Sequence, residues 1–383
     1  MRHGRHPKKK LCRGVILDIM APKSFVVVFP SLQAKQYSPT LMKGIKRVLK
    51  IEDEPYTNIC RDEHLILIDA HDPVFASSAI GRLYGIEKVL IARPIKNNYD
   101  DIVKTTTEVG GNLLLGNEKF YVQVEGYSRG FIPKDAEMAI SSSIIEKKSL
   151  HNVRPGTPDR YDKLLYVYMT HDNAYISIFE DKYPGGLPWG IQGKAVSCVF
   201  DEMSAMACLE AIRMGFETKI IALYRKESQL INLAKVLNKI IPNLIQKKVQ
   251  LSIYKLSAGS SGFLNMVIIA TEIAIDVAKN YNISYVTLPI SRIMFPGLPV
   301  DRLQRRVYDT GLNAVLSLPD YERMLAISKR MNMSFNAESR RYNLLKIPPD
   351  MKQYNILKHD VTIKPGPNNI HDILDNMGRQ KQI

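Results

Sequence analysis

The chain has 383 residues, 45% of them apolar and 24% charged, and its 53 Lys+Arg against 38 Asp+Glu leave a formal charge of +15. That length exceeds one ordinary core and predicts two or three domains, while the even composition places the chain among globular proteins. No apolar run is long enough to cross a bilayer, and the cationic surplus favours a polyanionic partner, because each phosphate neutralised releases counterions.

Residues 1–22 are rich in Lys, Arg and His and read as a basic arm. The apolar segment within it is short and carries Arg13 and Asp18, so no signal peptide is expected. "SFVVVF" is a buried-strand run ending at Pro30. "SPTLMKGIKRVLKI" then predicts a helix with Ser38 as N-cap, Pro39 at its first position, and Leu41, Ile45, Val48 and Leu49 recurring at helical spacing. The opposite face carries Lys43, Lys46, Arg47 and Lys50, with Lys35 just before it. "HLILIDA" predicts a strand, "DPVFASSAIGRLYGI" a helix opened by Asp72-Pro73 and closed by Gly85, and "KVLIARPI" another strand. Strand, helix, strand, helix, strand over 23–96 suggests a ferredoxin-like α/β domain.

Over 97–182 a second compact unit is expected. "DDIVKTTTEVGGNLL" predicts a helix ending at paired glycines, "KFYVQVEGY" a strand, and "PKDAEMAISSSIIEKKS" a helix with its charges matched to the helix dipole. Two alternating strands then flank a turn at His171-Asp172-Asn173. Residues 183–192, Gly- and Pro-rich and carrying the one tryptophan, read as a rigid linker. From 193 to 335 strands and helices alternate, which predicts a doubly wound parallel sheet with ligands at the C-terminal ends of its strands. Residues 336–383 are basic and Pro-containing and read as a loosely packed tail with one final helix.

The first strand–helix turn of that sheet, "CVFDEMSA", lies where free backbone N–H groups and a helix dipole can face an anion. It holds Phe200, Asp201, Glu202 and Ser204 and no glycine. Cys12, Cys60, Cys198 and Cys208 form no C-x-x-C pair, so reduced, buried thiols are expected. His64, His71, His151 and His171 show no metal-ligand spacing, and no metal site is expected. The turn "SAGSSGF" (257–263) is read as a flexible loop in preference to an anion site, and the cluster Arg302, Arg305, Arg306 as either an RNA-facing or a solvated helix side.

At the linker, Pro184-Gly185-Gly186-Leu187-Pro188 leading into "GKAVSCVF" resembles the junction of the tRNA 4-thiouridine synthetases, before the first strand of their PP-loop ATP pyrophosphatase domain. The order of elements upstream is similar too, which identifies 97–182 with a THUMP domain. The resemblance covers about residues 23 to 335. It implies that the ferredoxin-like and THUMP domains bind tRNA, and that an ATP-using site adenylates a uridine for sulfur transfer from a persulfide cysteine. The family's Ser-Gly-Gly-x-Asp-Ser loop lets bare backbone wrap a pyrophosphate while its aspartate holds magnesium. This chain departs from it: carboxylates stand where an anion should rest, and no glycine pair can be restored by shifting the register. "FLNMVIIATEIAIDVAKN", which should carry a cysteine and paired arginines, has Glu272 as its first charge. The later nucleotide-closing loop is replaced by "LPISRIMFPGLPVD", and "NAESRRYNLLKIPP" holds no sulfur-handling cysteine.

The expectation is an archaeal, cytoplasmic, tRNA-binding relative of the 4-thiouridine synthetases with a degenerate PP-loop, acting in tRNA modification as a binding or partner subunit. It has no catalytic residues and no cofactor. The alternative is an active ATP-dependent tRNA sulfurtransferase with an atypical loop, in which Asp201 and Glu202 hold Mg²⁺. Expected RNA contacts are Lys35, Lys43, Lys46, Arg47, Arg129, Lys134, Lys147 and Lys148, with Tyr127 or Phe131 placed to stack on an unpaired end. Expected partners are tRNA or another structured RNA and no membrane; a catalytic partner protein and a homodimer are left open.

Overall fold

The computed structural model describes residues 23–128, 130–256, 263–292, 297–333, 356–366 and 369–378. The basic arm, Arg129, the turn at 257–262 and the whole of "NAESRRYNLLKIPP" (336–349) therefore lie outside the described residues. Two compact units are present: one runs to Gly185, and the other comprises Arg82–Tyr84 and everything from Gly186.

In the first unit β1 (Phe25–Pro30), α1 (Ser38–Ile51), β2 (Tyr56–Asp62), β3 (Leu65–Ala70), α2 (Pro73–Ile80) and β4 (Ile86–Lys96) form the ferredoxin-like order. They are followed by α3 (Tyr99–Leu113), β5 (Lys119–Gly126), α4 (Pro133–Lys147), β6 (Arg154–Pro155), β7 (Lys163–Met169) and β8 (Asn173–Gly185). All eight strands join one sheet in the order β2-β3-β1-β4-β8-β7-β5-β6. The long β4 pairs with β1 on one side and β8 on the other, so residues 23–96 and 97–182 share a sheet. The pattern of the sequence does not announce β2, because "YTNICRD" is an edge strand with only three buried positions, too polar for an alternation signal.

Four expectations are corrected. A 3-10 turn, Leu32–Tyr37, runs straight into α1, so Ser38 is not its N-cap; its hydroxyl donates instead to the Lys35 carbonyl at 2.6 Å. α2 ends at Ile80, well before Gly85, although Asp72 does cap its start by accepting from Val74 and Phe75. Gly110-Gly111 do not end α3, which continues to Leu113. A Cβ at Gly110 would stand 2.7 Å from Ile144 and 2.9 Å from Leu165, so this glycine is there for close helix packing. Cys60 is disulfide-bonded, contrary to the expectation of four reduced thiols, which rested on short-range spacing alone.

The second unit contains β9 (Lys194–Val199), α5 (Glu202–Arg213), β10 (Glu217–Tyr224), α6 (Glu227–Ile240), β11 (Val249–Leu256) and α7 (Phe263–Asn280). It continues with β12 (Tyr285–Leu288), α8 (Gly297–Tyr308), β13 (Asn313–Leu316), α9 (Tyr321–Met331), β14 (Ile356–Ile363) and α10 (Asn369–Gly378). The sheet order is β13-β12-β9-β10-β11-β14, parallel except for β14. The chain steps outward from β9 to β11 and then returns to β12 on the other side. Right-handed crossovers therefore put helices on both faces and leave a switch point between β9 and β12.

Residues 356–366 and 369–378 do not form a loose tail. β14 pairs with β11 along eight residues, burying Val361 and Ile363, and α10 packs on α6. Its alternation "ILKHDVTI" is visible in the sequence but is masked by the basic composition around it. The linker is also docked: Leu187 N–H donates to Arg213 O at 2.8 Å and Gln192 N–H to Gly215 O at 3.1 Å. Gly186, at φ +92°, lies so close to α5 that a Cβ would stand 2.5 Å from the Arg213 carbonyl.

Candidate functional site

The turn "FDE" joins the C-terminal end of β9 to the N-terminus of α5, beside the switch point. Asp201 is the N-cap of α5, extended at φ −157°, and its Oδ1 accepts from Ser204 N–H at 2.8 Å. The Ser204 hydroxyl oxygen in turn accepts from the N–H groups of Phe200 and Asp201, each at 2.9 Å. Ser204 is 1% exposed, and the Phe200 ring packs against the core. Three backbone donors at the mouth of the helix thus have partners inside the turn. An incoming anion would have to break this capping box and approach the Asp201 carboxylate to reach them. Glu202 adds a second acid in the first helical turn.

Beneath the turn, the Ser197 and Thr287 hydroxyls meet at 2.6 Å between β9 and β12, both buried. Cys198 and Cys208 are free and buried. Burial pushes the Cys198 thiol well above its usual range and the Cys208 thiol up to about 12, the latter partly offset by a hydrogen bond with Ser197. Such thiols are protonated at neutral pH and poor nucleophiles. Among the described residues no group of three or more His, Cys, Asp or Glu side chains stands together as a metal site.

The cations expected to meet RNA are spread over the first unit. Lys43, Lys46 and Arg47 are exposed on α1, and Lys35 is exposed on the 3-10 turn before it. A groove of about 580 Å³ at the end of α1 is lined by Lys46, Arg47, Lys50, Glu54, Pro55 and Tyr56. Lys50 and Tyr56 are not among the RNA contacts expected from the sequence; the unannounced strand β2 is what carries Tyr56 to the groove. Lys134 is committed to Glu137 at 2.6 Å, whose other oxygen accepts from Val124 N–H on the sheet edge. The Lys147 stem lies against Gly111, and Lys148 is the half-buried cap of α4. Phe131 packs edge-on to Tyr99, in contact with the core. Tyr127 is 54% exposed and stacks on His171 at 5.6 Å.

Charge is distributed unevenly along the chain. Residues 23–185 hold 21 Lys+Arg and 21 Asp+Glu, a formal charge of zero. Residues 1–22 carry +5 and residues 186–383 carry +10. The arginines of α8 are partly committed: Arg306 forms a two-point pair with Glu272 at 2.7 and 2.8 Å, while Arg302 and Arg305 are exposed. Counting charge by segment would have located the cationic part of the molecule from sequence alone.

No family model matches the chain. It is similar to the probable tRNA sulfurtransferases of Methanosarcina mazei, 28% identical over 165 residues, and of Methanosarcina acetivorans, 28% identical over 166 residues. These matches cover 42% of this chain and only 40% and 39% of the relatives' own length. Among solved structures it is similar to PH1313 from Pyrococcus horikoshii, with a TM-score of 0.60 and 16% identity over 81% of this chain and all of that one. It is also similar to a 4-thiouridine synthetase solved with RNA and ATP, with a TM-score of 0.57 and 15% identity, covering 81% of this chain and 85% of that one. At these identities the structural likeness establishes a shared fold.

Proposed function

We propose that this chain, which belongs to the tRNA 4-thiouridine synthetase type of THUMP and PP-loop protein, binds tRNA or another structured RNA and does not adenylate it. The observation that carries the second half is the capping box at Asp201 and Ser204. A triphosphate does not fit the turn: Ser204 and Asp201 already hold the Phe200, Asp201 and Ser204 amides, and two carboxylates repel the approaching charge. Neither free thiol in the described residues has the ionisation or exposure of a persulfide carrier.

RNA binding is supported by the formal charge of +15, by the basic groove at the end of α1, and by the tRNA-modifying names of the relatives. The role that follows is a binding or partner subunit in tRNA modification, in the cytoplasm. Titration of labelled tRNA at low and raised salt, with ATP-dependent thermal melting of the same sample, tests both halves. Salt-sensitive tRNA binding without an ATP-induced melting shift is the expected result. Absence of tRNA binding at low salt contradicts the first half, and a shift saturating with ATP contradicts the second.

A further inference from the structure

Residues 23–185 carry no formal net charge, which leaves open where in the chain the long-range attraction for a polyanion comes from. In the second unit many cations are already matched by acids. Arg213 and Arg323 both bind the buried Glu210, Arg306 binds Glu272 and Arg292 binds Asp301. The α6–α9 corner differs. Lys235 and Lys239, four residues apart, share one face of α6. The Lys239 ammonium donates to the carbonyl of Asn332, the left-handed residue that closes α9, and so brings the end of α9 to that face. There Lys329 and Arg330 are exposed, with the Arg330 guanidinium 5.8 Å above the Tyr84 ring. Lys235, Lys329 and Arg330 have no acidic partner among the described residues. Compensation of the α9 dipole accounts for a cation at its last turn, but not for Lys235 on a different helix.

We propose that this corner follows the phosphates of a structured RNA, so that the second unit supplies the electrostatic share of RNA affinity. The inference rests on the RNA-binding reading above and assigns to the nucleotide-type domain a role in holding RNA. Because phosphate contacts are indifferent to base identity, the corner adds affinity and salt dependence but little sequence preference.

The test uses the full chain and an unmodified tRNA transcript, with affinity measured between about 50 and 200 mM salt. One variant combines Lys235→Gln, Lys329→Gln and Arg330→Gln; the other combines Lys43→Gln, Lys46→Gln and Arg47→Gln. All six side chains are exposed, and unchanged melting temperatures verify that both variants are folded. The α6–α9 variant is expected to bind more weakly, with the log–log salt slope reduced by about one for each phosphate that no longer meets a cation. The swap Lys235→Arg, Lys329→Arg and Arg330→Lys is expected to restore it. An unchanged slope in the α6–α9 variant beside a flattened slope in the α1 variant overturns the inference and leaves the RNA reading standing. A wild-type chain that binds no tRNA at the low-salt end overturns both.

Discussion

On the reading proposed above, Asp201 and Ser204 close the turn at the start of α5 to an anion through their capping box. Their side chains hold the Phe200, Asp201 and Ser204 amides and so fasten the start of α5. Loss of a helix N-cap costs about 0.5–2 kcal/mol, so Asp201→Ala is expected to lower the melting temperature by a few degrees without producing an ATP-dependent shift. The acids and the missing glycines of this turn were legible in the sequence; the reciprocal hydrogen bonds were not, because they depend on the extended conformation at Asp201. The thiols give a second check. With Cys208 at about 12 and Cys198 raised by burial, both are expected to resist alkylation in the native chain at mild pH and to react once it is denatured; rapid native labelling would contradict the burial. His64 provides a pH test. Burial, helped by Lys35, holds its pKa below 6.5, and its ring nitrogen lies 3.1 Å from the Tyr168 hydroxyl. A base whose folded pKa is depressed adds stability above its unfolded value, and this is lost as pH falls from 6.5 through the folded value. The melting temperature is therefore expected to drop with acidification in that window, and to drop less in His64→Gln.

At the scale of elements, the apolar runs "FVVVF", "HLILIDA" and "TKIIALY" announced buried strands because every residue or every second residue meets a core. Errors arose where composition and role diverge. β2 and β14 are edge strands, and edges tolerate Asn, Arg, Lys and His that obscure the period. Gly110-Gly111 carried the signature of a helix end, yet they serve the packing of α3 against α4. The linker glycines can be tested directly. Gly186→Ala puts a methyl at φ +92° and against the Arg213 carbonyl, so it is expected to destabilise the chain by about 2 kcal/mol or more, measured by denaturant titration. β14 closes the β11 edge; Ile363→Ala, at a fully buried position, is expected to cost about 2–5 kcal/mol. A change below about 0.5 kcal/mol would show that β14 contributes little to the unit.

At the scale of the whole molecule, the chain forms two α/β units. The first combines ferredoxin-like and THUMP-type elements in one eight-stranded sheet whose residues 23–185 carry no formal net charge, while the second is a doubly wound sheet with ten surplus positive charges over 186–383. The fold class was readable from the alternation of elements, because strand–helix order constrains topology strongly. The location of the charge was also present in the sequence, but a single net value for the chain concealed it. On the reading proposed above, the molecule keeps the fold of an ATP-using tRNA enzyme and the attraction for RNA while its phosphate turn is closed. The most direct measurement is ATP–pyrophosphate exchange by the purified chain with bound tRNA. No exchange above the protein-free control is expected, whether or not tRNA is present. Exchange that scales with the amount of this chain and requires magnesium would contradict a closed phosphate turn.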